Sequence, residues 1–177
     1  MKLVILDRDG TINHDSDDYI KSPAEWRPIA GSLEAIARLI QADYRVVVAT
    51  NQSGIGRGLF DTRALFAIHD KLQRALGQVG GRIDAFFFCP HRADDNCRCR
   101  KPQPGMLLEV ARRLNLSLAD TYMVGDSQRD LEAAAAAGAR PVLVLTGKGS
   151  QTSAAGRLPP GTRVFPDLGA FAEQLAP

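Results

Sequence analysis

Leu3-Val4-Ile5-Leu6-Asp7-Arg8-Asp9-Gly10-Thr11 runs an apolar segment directly into two carboxylates one residue apart. A short run of branched aliphatics suits a strand buried on both faces, and Gly10 permits a sharp exit from it. Side chains alternate along an extended backbone, so Asp7 and Asp9 project to the same side if strand geometry persists that far. Carboxylates this close repel. One protonates, a cation bridges them, or the chain turns the second toward something else. These outcomes describe an acid–base pair, a metal site, or both.

Working outward, similar segments recur. Residues 44–49 form a second buried strand ending at Thr50-Asn51-Gln52, and residues 83–88 a third. Residues 121–124 form a fourth, ending in Gly125-Asp126-Ser127, followed by strands at 141–145 and 164–165. Helices lie between them. Ser32 is placed to cap one that runs to about Ala42, and Asp61 or Thr62 to cap one carrying Leu65, Ile68, Leu72 and Leu76. Pro104 opens a helix to Leu114, an alanine-rich helix stops at Gly138, and residues 167–175 form the last. Alternating strands and helices predict an α/β fold, a three-layer α/β/α arrangement around a central, mostly parallel sheet. In such sheets ligands sit beyond the carboxyl ends of the strands, where Asp7, Asp9, Thr50 and Asp126 all fall.

The 177 residues, 45% hydrophobic and 24% charged, fit a single domain over 1–177, with no internal repeat. Residues 13–28 read as a loop or small hairpin flap and 147–161 as a mobile loop. Neither the loop after the first strand nor that after the third is long enough for a separate cap domain. A net charge of +2 is too balanced for a dedicated nucleic-acid or membrane binder. No apolar run approaches the ~20 residues of a membrane span, and the N-terminus lacks a targeting pattern. The expectation is a cytoplasmic monomer whose three cysteines, between 89 and 99, are thiols or metal ligands.

Three carboxyl groups at one rim, from Asp7, Asp9 and Asp126, suit a hard octahedral cation such as magnesium. The Thr50 hydroxyl, the Lys101 ammonium and the N–H groups of the glycine-rich loop suit phosphate oxygens. Together they describe phosphoryl transfer through an aspartyl phosphate. Other motifs are weaker: after Gly54-x-Gly56-x-Gly58, Leu59 stands where a dinucleotide fingerprint needs its third Gly. Asp15-x-Asp17-Asp18 lacks the Gly and distal Glu of an EF-hand loop. His69 sits mid-helix without an evident partner and reads as structural.

Asp7-Arg8-Asp9-Gly10-Thr11, Thr50-Asn51-Gln52, Lys101 and Gly125-Asp126-Ser127-x-x-Asp130 resemble the four ordered motifs of the haloacid dehalogenase superfamily phosphatases. The resemblance implies that Asp7 is the nucleophile on phosphorus, and that Asp9 protonates the leaving oxygen and then activates the hydrolytic water. It also implies that Thr50 and Lys101 hold the transferring phosphoryl group, while Asp7, the Asp9 backbone carbonyl and Asp126 bind Mg2+.

Cys89-Pro90-His91 and Cys97-Arg98-Cys99 supply four soft ligands suited to tetrahedral Zn2+. Four protein ligands leave no open position, so the zinc is structural, and it fixes where the adjoining Arg100 and Lys101 project.

The capless, zinc-bearing pattern resembles two related groups, phosphatases acting on D-glycero-D-manno-heptose 1,7-bisphosphate and on histidinol phosphate. The stretch 50–58 is closer to the heptose type, with Ser53 where the histidinol type tends to carry Asp. The five residues between His91 and Cys97 are closer to the histidinol type. The resemblance assigns recognition of a phosphorylated sugar to Asn51, Gln52, Ser53 and Arg100, with Asp15 and Tyr19 of the flap; Arg57 joins them as a cation suited to a second phosphate. The resemblance favours the heptose bisphosphate and implies loss of its C7 phosphate in the making of nucleotide-activated heptose for lipopolysaccharide core, with histidinol phosphate as the alternative substrate. A phospho-receiver domain also gathers aspartates at a parallel sheet's end, but Asp9, placed to activate water, speaks against storage of the phosphoryl group. An end phosphatase of nucleic acids would need an aromatic-basic run that the chain lacks.

Overall fold

The structure, a computed structural model, describes residues 2–176. Its elements in chain order are β1 (Lys2–Leu6), α1 (Ser32–Gln41), β2 (Tyr44–Asn51), α2 (Ser53–Gly56), α3 (Thr62–Gln78), β3 (Ala85–Cys89) and α4 (Gly105–Leu114). They continue with β4 (Tyr122–Gly125), α5 (Gln128–Ala137), β5 (Arg140–Val144), α6 (Gly149–Ala154), β6 (Arg163–Phe165) and α7 (Leu168–Leu175). Every strand pair is parallel, in the order β3-β2-β1-β4-β5-β6.

Alternation along β1 explains why its aliphatics all vanish from solvent. Val4 and Leu6 face a core layer with Ile36 and Leu39 of α1, Ile68 and Leu72 of α3, and Phe171 of α7. Leu3 and Ile5 face the opposite layer, with Leu107 and Val110 of α4 and Ala133 and Ala134 of α5. Small alanines let α5 approach the sheet closely. The expected three-layer fold is present, and no cap domain interrupts it among the described residues.

The chain builds β1, β2 and β3 outward in one direction, then crosses back to place β4 on the other side of β1. The carboxyl ends of β1 and β4 therefore flank the point where strand order reverses, the place such sheets form a crevice. The ladder even extends past β1: Asp7 N–H donates to Val124 O at 2.8 Å.

Several boundaries differ from the sequence expectation for identifiable reasons. Ser32 is the first helical residue of α1, not its cap. Gly31 takes the cap position at φ 81°, which frees the Ser32 hydroxyl to donate to Ile12 O at 2.6 Å. Ile83 is buried but outside β3, because its backbone N–H and C=O are both taken by the Gln73 side chain. Pro104 caps α4 and does not open it, whereas Asp61 caps α3 as expected, accepting from Ala64 N–H. Residues 53–56 are a short helix inside the glycine-rich stretch. The segment expected to be a mobile loop, 147–161, contains α6 and packs into the site described below.

The flap is a hairpin: His14 N–H donates to Arg27 O, Ile29 N–H donates to Ile12 O, and its own Ile20 and Trp26 are buried in the core layer shared with α1 and α3. Leu72 is fully buried on α3, so Leu72→Ala should cost about 2–5 kcal/mol in chemical denaturation. A loss below about 1 kcal/mol would contradict the packing of α3 against the sheet.

Candidate active site

Asp7 leaves β1 at the floor of a cavity of about 230 Å³ at the carboxyl edge of the sheet. Directly against it is the Lys101 ammonium, 2.9 Å from Asp7 Oδ1, 2.6 Å from Asp130 Oδ1, and donating to Ala49 O at 2.7 Å. The Lys101 side chain is 2% exposed. Burial alone would favour its neutral form, but Asp130 and Asp7 outweigh it and hold the lysine protonated. For Asp7 the balance runs the other way. Burial and the Asp130 charge raise its proton affinity well above the usual carboxylate range despite Lys101.

Asp126, at the end of β4, completes a group in which one oxygen each of Asp7, Asp126 and Asp130 lie within 4.8 Å of one another. Burial and Asp130 push its pKa up to about 7, against the opposing pull of the Lys148 N–H. Its carboxylate is wedged between two glycine backbones. A Cβ on Gly10 or on Gly147 would collide with Asp126 Oδ2, and both glycines have positive φ, at 81° and 55°. Lys148 N–H donates to Asp126 Oδ2 at 2.8 Å, and Thr146 Oγ1 to Gly10 O at 2.7 Å. Sequence reading missed residues 146–148, because their only local signal is a glycine in a polar stretch.

Asp9 sits in the opposite environment. Arg8, whose side chain is 0% exposed, donates from Nε to Asp9 Oδ1 at 2.9 Å and from Nη2 to Oδ2 at 3.2 Å. Asn13 Nδ2 and Gln52 Nε2 add bonds of 2.9 and 3.1 Å. Burial raises its pKa, but the Arg8 charge and these donors prevail and hold it below the ordinary value. The turn thus separates the two carboxylates of the opening stretch electrostatically. The Asp9 side chain belongs to Arg8, and the acidic group suited to a cation is completed by Asp130.

Thr50 is buried at the end of β2 and its hydroxyl accepts from Gln52 Nε2. Asn51, Gln52, Ser53, Arg57, Arg100, Asp15 and Tyr19 all line the same cavity, joined by Ser127 of the fourth motif and by Arg129 and Lys148, which the sequence did not single out. Asn51 has a second task. Its amide brackets the Lys101 backbone, accepting from Lys101 N–H at 3.1 Å and donating to Lys101 O at 3.0 Å.

The HAD-hydrolase-like family model matches residues 98–171. The D-glycero-beta-D-manno-heptose-1,7-bisphosphate 7-phosphatase of Bordetella bronchiseptica is 63% identical over 99% of this chain and 98% of its own. The chain belongs to the HAD-like phosphatases. The enzyme of the same name from Pseudomonas aeruginosa is 53% identical over 98% of this chain and 97% of its own. Two solved structures share the fold over 99% of this chain and 98% of theirs. The D,D-heptose 1,7-bisphosphate phosphatase of B. bronchiseptica, complexed with magnesium and phosphate, matches with a TM-score of 0.97 and 63% identity. That of Burkholderia thailandensis matches with 0.80 and 56%.

As a HAD-like phosphatase, the protein is a phosphoric monoester hydrolase, which removes the phospho-receiver alternative. Its acidic group has hard oxygen donors fit for magnesium. A second group, Cys89, His91, Cys97 and Cys99, has ligand atoms within 4.8 Å of one another. The thiols are free, with S–S separations of 3.2, 3.6 and 3.7 Å and His91 Nδ1 at 3.3 and 3.5 Å from Cys99 and Cys89. A tetrahedron of sulfurs about 2.3 Å from a metal has edges of roughly 3.7 Å, so the group fits a four-coordinate metal with small adjustment. Burial raises the Cys97 pKa, but the Arg100 backbone N–H and the two neighbouring thiols bring it down to about 7, which favours a thiolate there, while burial holds Cys89 and Cys99 above the ordinary thiol value, so a metal would have to displace their protons.

Protons compete with a metal for Asp126 below pH 7, since its folded-state pKa is raised to about 7. Magnesium affinity, measured by calorimetry, should therefore fall at least about tenfold from pH 8 to pH 6, since Asp7 in the same group also holds protons more tightly than an ordinary carboxylate. An affinity independent of pH over that range would contradict the burial of Asp126.

Proposed function

We propose that the protein hydrolyses the C7 phosphate ester of D-glycero-D-manno-heptose 1,7-bisphosphate, as one capless cytoplasmic domain acting as a monomer, in the supply of nucleotide-activated heptose for lipopolysaccharide core. The observation that carries the reading is end-to-end similarity to phosphatases so named, at 63% and 53% identity. Their names specify the beta anomer, which is the anomer we assign. The cavity supports this substrate over histidinol phosphate. Arg57, Arg100 and Arg129 line a rim with Ser53, and three guanidiniums suit a second phosphate rather than a cationic amine.

In the mechanism we infer, Asp7 attacks phosphorus in line and the C7 oxygen leaves, forming an aspartyl phosphate. Lys101 and the Thr50 hydroxyl hold the phosphoryl oxygens. Asp9 gives its proton to the departing oxygen, then takes one from the water that cleaves the acyl phosphate. At rest Arg8 holds Asp9 ionised. The arriving phosphate dianion raises its proton affinity, as any nearby negative charge does, and Asp9 takes up a proton from solvent before the ester bond breaks. Magnesium held by Asp7, Asp126 and the Asp9 carbonyl supplies the positive charge that keeps Asp7 ionised beside Asp126 and Asp130.

Asp7→Asn should lose turnover by about 10³-fold or more, because no other group can form the acyl phosphate. Asp9→Asn should bind phosphate normally while turnover falls at least about 10²-fold. Retained activity in either variant would refute the assignment, and a higher kcat/KM for histidinol phosphate than for the heptose bisphosphate would overturn the substrate.

The four-ligand cluster holds structural zinc in this reading. It anchors the loop that delivers Arg100 to the rim and Lys101 to Asp7. Chelating zinc with magnesium retained should speed hydrogen exchange across residues 89–104 and lower kcat/KM. Unaltered turnover by verified zinc-free protein would remove zinc from the account.

A further inference from the structure

We propose that His69, a helix residue outside the cavity lining, is a positioning residue for the proton donor Asp9 and acts on it through Arg8. The inference rests on Asp9 being that donor. Arg8 is fully buried and commits Nε and Nη2 to Asp9, which leaves Nη1 needing an acceptor where water cannot supply one. The His69 Nε2 atom lies 3.4 Å from Nη1. The histidine is 5% exposed on α3, and its ring stacks on Phe86 of β3 with centroids 4.1 Å apart and planes 11° apart. Three links follow from this arrangement. The stack orients the imidazole, the imidazole lone pair orients the guanidinium, and the guanidinium holds the Asp9 carboxylate by two arms.

A histidine serves here because it stays neutral: burial and the Arg8 charge hold its pKa at about 3, so at neutral pH it accepts a hydrogen bond and adds no like charge. Asn13 and Gln52 hold Asp9 independently, so loss of His69 should loosen the donor without freeing it.

The test compares His69→Gln with His69→Met, side chains of equal length that both forfeit the ring stack and differ in the acceptor. A misplaced acid slows departure of a sugar alkoxide, which needs a proton, and spares p-nitrophenolate, which does not. For His69→Met we expect kcat/KM to fall about tenfold on the heptose bisphosphate and less than about twofold on p-nitrophenyl phosphate, with inhibition by inorganic phosphate unchanged. His69→Gln should recover most of the loss. Equal effects of the two variants, or equal losses on the two substrates, would overturn the proposal. The unmutated protein gives a second reading. ¹⁵N–¹H correlation of the His69 ring should show an unprotonated Nε2, and a proton on that atom would equally overturn it. If Asp9→Asn discriminates between the two substrates while His69→Met does not, His69 has no such role and Asp9 keeps its own.

Discussion

Everything at this site depends on one buried ammonium. Parallel strands all end on the same side, so the residues that follow β1 and β4 are gathered by topology, and here they are carboxylates. Asp7, Asp126 and Asp130 crowd together in a place that water reaches poorly. Lys101 meets Asp7 and Asp130 at hydrogen-bonding distance and is the counter-charge that makes this arrangement tolerable. A buried ion pair is weak evidence for stability, since desolvation offsets most of the attraction. In the proposed mechanism the same ammonium holds the transferring phosphoryl group, which gives a chemical reason for keeping it.

The delivery of Lys101 draws in the rest of the molecule. The residue lies on a segment without strand or helix periodicity, and such a segment holds position only through specific ties. Asn51 brackets its backbone from the end of β2, and the Cys–His cluster immediately precedes it. Asp126 is held in a comparable way from the far side, between Gly10 and Gly147, with the Lys148 N–H on its oxygen. Loops on both sides of the sheet edge therefore converge on two side chains.

Two aspartates one residue apart acquire opposite acidities because their neighbours differ. Asp7 faces Asp130 and a dry floor and is pushed toward protonation, while Asp9 receives a buried guanidinium and two amides and is held ionised. These resting acidities are the reverse of those the proposed roles require, so in the proposed mechanism a cation on Asp7 and the phosphate dianion beside Asp9 must invert them before one carboxyl group attacks and the other exchanges protons.

The residues themselves determined a large share of this. Aliphatic runs ending in Asp7, Thr50 and Asp126 specified a parallel sheet and where its site must lie, because strand pattern and topology place those ends together without any long-range detail. Cysteine and histidine spacing specified the four-ligand cluster for the same local reason. Contacts between segments remote in sequence were decided only by tertiary structure. His69 carries no local sign of its bond to Arg8, 61 residues away, and residues 146–148 none of their grip on Asp126. Asn51 was legible as a site residue but not as a brace for Lys101, since its amide would serve a substrate or a peptide group equally well. Period and spacing encode what a segment does by itself; which buried donor finds which acceptor is set when the layers pack and most polar groups excluded from water find a partner.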